Sequence, residues 1–103
     1  MNWETAAQGF SAMGSEARLK VLRALVRAGH PGLTVGQIQD RTQIAPSTLA
    51  HHLKFLAAAG LVDQEKSGRA VYNSASYGQL HELANFILHE CCADVQPKAA
   101  NNG

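Results

Sequence analysis

The chain has 103 residues, of which 46% are hydrophobic and 17% charged. That suits one folded domain, leaves no room for a second, and excludes the composition of a disordered chain. Nine Lys and Arg stand against eight Asp and Glu for a formal net charge of +1, so bulk charge does not mark a nucleic-acid binder and any such function must come from pattern.

Trp3, Ala6, Ala7, Phe10 and Met13 recur at helical spacing, which predicts a first helix from Trp3 to Met13. Gly14 ends it and Ser15 caps a second helix running to about Ala28. There Leu19, Leu22, Leu25 and Val26 form the expected apolar stripe, with Arg18, Lys20, Arg23 and Arg27 on the remaining surface. Gly29, His30, Pro31 and Gly32 break the pattern. Thr34 and Gln37 have capping-box spacing and open a short third helix, Val35 to Arg41. After Thr42, Gln43 and Ile44, Pro46 suits the first position of a fourth helix reaching about Ala59. Leu49, Leu53 and Leu56 give it one buried stripe, and Gly60 is placed to end it.

Two β-prone runs follow, Val62 to Lys66 and Ala70 to Ser74, joined through Ser67, Gly68 and Arg69 as a hairpin. Ser76 and Gln79 make a second capping-box pair. Leu80, Leu83, Ala84, Ile87, Leu88 and Cys91 then form the stripe of a last helix ending near the cysteines. The folded domain is expected over 1–94, and the tail 95–103, with a proline and no periodicity, is expected to be poorly ordered. The start MNWETAAQGF carries neither the basic segment nor the apolar run of a signal peptide, and no stretch approaches the roughly 18 apolar residues of a membrane span. A cytoplasmic protein with no membrane partner is predicted.

The fold class is therefore mainly α with a small β-hairpin, in the order α-α-α-α-β-β-α of a winged helix-turn-helix. Two helices joined by a tight turn can deliver the second into a major groove, with the hairpin reaching adjacent backbone or minor groove. On the fourth helix, the buried leucines leave Ser47, Thr48, Ala50, His51 and Lys54 on other faces. A small polar first turn lets a helix approach closely, and hydroxyl and imidazole groups can bond to base edges or phosphates. Arg69 at the hairpin tip completes the set of DNA-contact candidates. Any one of these side chains could equally be ordinary exposed surface. A winged helix that binds protein instead of DNA is the rival with the same fold. No phosphate-binding glycine loop, nucleophile elbow or catalytic triad points to an enzyme.

The segments FSAMGSEARLKVLRAL, STLAHHLKFLAAAGLV and EKSGRAVY, with the spacing between them, resemble the ArsR/SmtB metalloregulators over roughly Phe10 to Cys92. The resemblance implies a homodimer, joined through the first and last helices, that represses an operon from double-stranded operator DNA and needs no cofactor. It makes Ser47, Thr48 and His51 DNA-contact candidates by their match to the family's recognition helix. His52, nearer the buried stripe, is assigned to packing or an internal hydrogen bond.

Of the inducer sites in that family, the CxC-type arsenic site before the recognition helix has no counterpart in GLTVGQIQDR. The zinc-type site on the last helix is not reproduced by His81, Glu82, His89 and Glu90, which lack the preceding Asp-x-His. HECCAD, residues 89 to 94, resembles an arsenic-responsive subtype with a vicinal cysteine pair at the end of the last helix, though the third cysteine is missing. Adjacent thiols in a reducing compartment are poor disulfide candidates, and soft thiolates suit trivalent arsenic or antimony. Cys91 and Cys92 are thus the candidate ligands for an As(III) or Sb(III) inducer. A redox or reactive-sulfur switch, simple packing of Cys91, and a regulator without an inducer stay open as alternatives.

Overall fold

The computed structural model describes residues 1–95. Five helices and one hairpin follow in the order α1 (Trp3–Met13), α2 (Glu16–Ala28), α3 (Val35–Thr42), α4 (Pro46–Ala58), β1 (Val62–Ser67), β2 (Ala70–Ala75) and α5 (Tyr77–Leu88). The winged helix-turn-helix order is that expected from the sequence. Most of the expected tail, residues 96–103, lies outside the described residues.

Local chemistry sets the boundaries. The side chains of Asn2, Ser15 and Thr34 accept from backbone N–H groups of the first turns of α1, α2 and α3, satisfying donors that a helix start leaves unpaired. The Thr34–Gln37 capping box forms in full, at 3.3 and 2.9 Å. At the end of α4, Gly60 adopts φ +77°. Leu61 N–H bonds back to Leu56 O at 2.9 Å and Gly60 N–H to Ala57 O at 3.0 Å. This is a Schellman arrangement, sealed by the fully buried Leu56 and Leu61. The second expected capping box does not form: Ser76 gives α5 no side-chain cap, and its backbone N–H is engaged with Leu61 O at 2.9 Å.

The core is one cluster drawn from every helix and from the hairpin. Val21, Leu25, Ile38, Leu49, Leu56 and Leu61 are completely buried, and α2 packs against both α3 and α4. On α4 the buried residues are Leu49, Leu53 and Leu56, as the spacing predicted.

On the other long helices the buried set is not simply the apolar spacing. On α1 the buried residues are Ala6, Gly9 and Ala12, while Trp3 is 81% and Phe10 37% exposed. On α2 they are Val21, Leu22 and Leu25, with Leu19 and Val26 exposed. On α5 only Leu83 is fully covered, and Ile87 and Leu88 are 62% and 60% exposed. On α1 the reason is close packing: a Cβ on Gly9 would sit 2.8 Å from Cδ1 of Leu83, so the small face of α1 is the one that meets α5. Trp3 and Phe10 of α1 and Ile87 and Leu88 of α5 are left on the protein surface.

The last helix also stops sooner than expected. Beyond Leu88 the bonds shorten to the i to i−3 pattern, with Cys91 N–H to Leu88 O at 2.8 Å, Ala93 N–H to Glu90 O and Val95 N–H to Cys92 O at 3.0 Å. Cys92 has φ +62°. Cys91 and Cys92 therefore lie in a series of turns after α5, and Cys91 does not continue the buried stripe.

Candidate nucleic-acid interface and thiol pair

The tight segment Gln43–Ala45 links α3 to α4, and Gln43 at φ +62° makes the reversal that sets one helix across the other. Thr42 holds this turn, its hydroxyl donating to Ile38 O at 2.8 Å and accepting from Ile44 N–H at 3.3 Å. With Leu49, Leu53 and Leu56 turned inward, helical geometry puts Ser47, His51 and Lys54 together on the opposite side of α4 and Thr48 on its flank. All four are exposed. The start of α4 carries no side-chain cap, because Ala45 occupies the cap position, and Pro46 stands in the first turn. Its first-turn N–H groups are therefore free for an external acceptor, and the helix dipole favours an anionic one.

Behind this face lies an aromatic and cationic cluster. The Arg18 guanidinium sits 5.2 Å from the centroid of the Phe55 ring, and His51 meets the same ring edge-on at 4.9 Å. Arg18 also donates through Nε to Ala12 O, so it ties the end of α1 to the middle of α4. His52 is half-buried, and its Nδ1 has no hydrogen-bond partner among the described residues. Burial, with the nearby charges of Arg18 and then His51, holds its imidazole below the ordinary histidine value.

The hairpin pairs β1 with β2 from Val62 opposite Ala75 to Ser67 opposite Ala70. Gly68 takes φ +63° at the first central position of the two-residue turn, where a type II′ hairpin requires glycine, and Arg69 beside it is exposed. The base of the wing is anchored by a residue that hydrophobic periodicity does not reveal. Asn73 is completely buried. Its backbone exchanges two bonds with Leu33, at 2.8 and 2.7 Å, its Nδ2 donates to Leu33 O at 3.1 Å, and its Oδ1 accepts from Gln64 Nε2 at 2.8 Å. The one available signal was a turn-forming residue standing inside a β-prone run.

Cys91 and Cys92 are both free and exposed, with their Sγ atoms 3.4 Å apart. His89 is the adjacent residue closing α5, its Nδ1 within 3.1 Å of Phe86 O. Phe86 in turn stacks edge-on with Trp3 at 5.0 Å, joining the start of α1 to the end of α5. Among the described residues, no three His, Cys, Asp or Glu side chains converge as a ready-made metal site. Two thiols bound to one soft ion with bonds of about 2.3 Å would span 3.4 Å at an angle of about 95°. That angle suits a pyramidal trivalent centre, which would draw its third ligand from elsewhere.

A helical core with an exposed polar second helix and an anchored hairpin defines a winged helix-turn-helix domain. Residues 13–65 match the family described as "Helix-turn-helix domain". The chain is 31% identical over 93 residues to the HTH-type transcriptional regulator YbzH of Bacillus subtilis, covering 79% of this chain and 93% of that one. It is 28% identical over 81 residues to the transcriptional activator HlyU of Vibrio cholerae, covering 79% and 72%. The structure of an ArsR-like transcriptional regulator from Rhodococcus sp. RHA1 superposes with a TM-score of 0.75 at 25% identity, over 96% of this chain and 90% of that one. The chain belongs to the ArsR/SmtB family of winged helix-turn-helix transcriptional regulators, a DNA-binding and not a catalytic class. No described helix is long and apolar enough to cross a membrane.

Proposed function

We propose that the protein is a cytoplasmic transcriptional repressor that holds double-stranded operator DNA as a homodimer and leaves it when a trivalent metalloid binds Cys91 and Cys92. Ser47, Thr48 and His51 meet base edges and phosphates from the first turns of α4, Lys54 contacts phosphate further along it, and Arg69 reaches the flanking backbone or minor groove. The dimer forms through α1 and α5, whose exposed Trp3, Phe10, Ile87 and Leu88 supply the apolar surface.

The observation that carries the inducer assignment is the pair of exposed thiols 3.4 Å apart, directly after a helix of the proposed dimer interface. A thiol switch closing a disulfide between the two is disfavoured by geometry. Adjacent Cα atoms stand about 3.8 Å apart across a trans peptide, short of the roughly 4.4–6.8 Å that disulfides span. A soft ion meets no such restriction. Release requires only that the ligand bind the form with low operator affinity more tightly, and a tenfold loss of affinity needs about 1.4 kcal/mol of coupling.

The test is fluorescence anisotropy of the protein on the DNA upstream of its own gene, titrated separately with arsenite, antimonite, methylarsenite, zinc and peroxide. The expected result is release by a metalloid from wild type, and loss of release in Cys91→Ser and Cys92→Ser. If both variants are released like wild type, the thiol assignment is wrong. Release by peroxide alone would replace it with a disulfide, formed as peroxide is reduced to water, either between subunits or with a small thiol.

A further inference from the structure

The chain's positive charge is unevenly placed. Of its nine Lys and Arg residues, four line one groove between α2 and the end of α3: Lys20, Arg23, Arg27 and Arg41, with Ala24 and Thr42 completing the wall. Among the described residues, no carboxylate lines it. Of these four, only Lys20 has an ion-pair partner among the described residues, Glu16 at 3.2 Å on its own helix. Arg23, Arg27 and Arg41 are exposed and form no salt bridge among the described residues.

We propose that this groove is a second contact surface for the DNA backbone, lying outside the recognition helix and the wing. The inference rests on the DNA-binding reading above and adds a separate set of residues to it. Spacing argues for a polyanion over a single small anion. Lys20, Arg23 and Arg27 share one face of α2 over seven residues, about 10 Å of helix. That length matches about three successive phosphates of one strand at 3.4 Å of rise each.

Position argues for DNA over an acidic protein. Arg41 and Thr42 belong to the first helix of the helix-turn-helix, and chain length alone keeps the Cα of Arg41 within about 18 Å of that of Pro46. This is about half of one duplex turn of roughly 34–36 Å. A groove within half a duplex turn of the end of α4 that enters the duplex is near enough to reach the flanking backbone. Charge balance agrees. With a net charge of only +1, the phosphate neutralisation that drives binding has to come from local concentrations of cations.

The experiment compares the full chain with Arg23→Gln/Arg27→Gln/Arg41→Gln on the operator fragment and on a random duplex over a series of salt concentrations. The triple variant is expected to bind both duplexes more weakly by a similar factor. The slope of log K against log salt should fall by about 0.9 for each phosphate no longer neutralised, up to about five for a dimer. The corresponding triple Lys variant restores most of the slope, since phosphate asks chiefly for charge. Circular dichroism and thermal melting check the fold, and the three single variants at these exposed positions serve the same purpose should the triple variant be unstable.

A folded variant with the wild-type affinity and slope on both duplexes overturns the proposal, including the case in which the groove serves an acidic protein. Weakening confined to the operator also overturns it, because that signature belongs to base reading. Wild type failing to bind either duplex at low salt is a different result: it removes the DNA-binding reading itself and the groove assignment with it.

Discussion

Gly9 on α1 and Leu83 on α5 meet so closely that a β-carbon added to the glycine would stand 2.8 Å from the leucine Cδ1. Leu83 is the only fully covered residue of α5, so this contact helps fasten the last helix to the rest of the chain, together with the Trp3–Phe86 stack and the Tyr77 bond to Val26 O. Gly9→Val should overpack it and destabilise the fold by about 1–3 kcal/mol, and Leu83→Ala should cost about 2–5 kcal/mol by leaving a cavity. Urea denaturation followed by circular dichroism measures both. A wild-type midpoint for Gly9→Val would mean that α5 shifts freely.

The same packing leaves Ile87 and Leu88 on the surface. In the dimer proposed above, Ile87→Glu/Leu88→Glu should shift the sedimentation coefficient to that of a monomer without lowering helix content. Unchanged sedimentation at micromolar concentration would place the dimer contact elsewhere.

Asn73 ties the wing to the loop before α3 through Leu33, and braces the hairpin through Gln64. Replacing it with alanine removes the side-chain bonds to Leu33 O and Gln64 at a fully buried position, and two lost bonds at about 0.5–1.5 kcal/mol each give a cost of about 1–3 kcal/mol. Amide hydrogen exchange should also speed up at Leu33 and in β2, where an ordinary surface substitution would leave it unchanged.

His52 gives the fold a defined pH response. Its imidazole is held below the ordinary value by burial, then by Arg18 and His51, so the unfolded chain binds the proton more readily than the folded one. Stability from this group is complete above the unfolded value of about 6.5 and is lost as pH falls below it toward the folded value. His52→Gln should flatten the decline in melting temperature below a pH of about 6.5. An identical decline in the variant would assign the response to other groups.

Base reading and phosphate contact separate by their signatures. His51→Ala should cost about 1–3 kcal/mol on the operator and little on random DNA, whereas Arg69→Ala should weaken both and lower the salt slope by about 0.9 per phosphate. Equal losses on both duplexes for His51→Ala would make it a phosphate contact.

The single tryptophan offers a ligand assay that needs no DNA. Trp3 lies on Phe86, which is followed within two turns by His89 and the thiols. Arsenite should change Trp3 emission in a saturable titration of wild type and leave Cys91→Ser/Cys92→Ser unaffected. An equal response in the double variant would rule out a signal from the thiol site.

Element order and the α4 face were legible because leucines there have no competing apolar side. On α1 both sides are apolar or small, so periodicity gave a helix without saying which side turns inward. Ala6, Gly9 and Ala12 won because they permit the approach of Leu83, a fact that only tertiary packing contains. The end of α5 was also unreadable. No glycine or proline closely follows Leu88, and Cys92 adopts a positive φ that its residue type does not announce. Asn73 was missed because strand patterning looks for apolar residues facing the core.

The anchor at Asn73 has a mechanical meaning. With Asn73 bonded to Leu33 and the Leu61–Ser76 bond lying at the same open end of the hairpin, beside the Val62–Ala75 pair, the root of the wing is held to the core that carries α4. A wing rooted in this way resists swinging away from α4 as a separate jaw. In the dimer proposed above, a signal from the thiol turn would then act as a change in the angle or distance between the two halves, and the spacing of two half-sites along the duplex is the quantity such a ligand would detune.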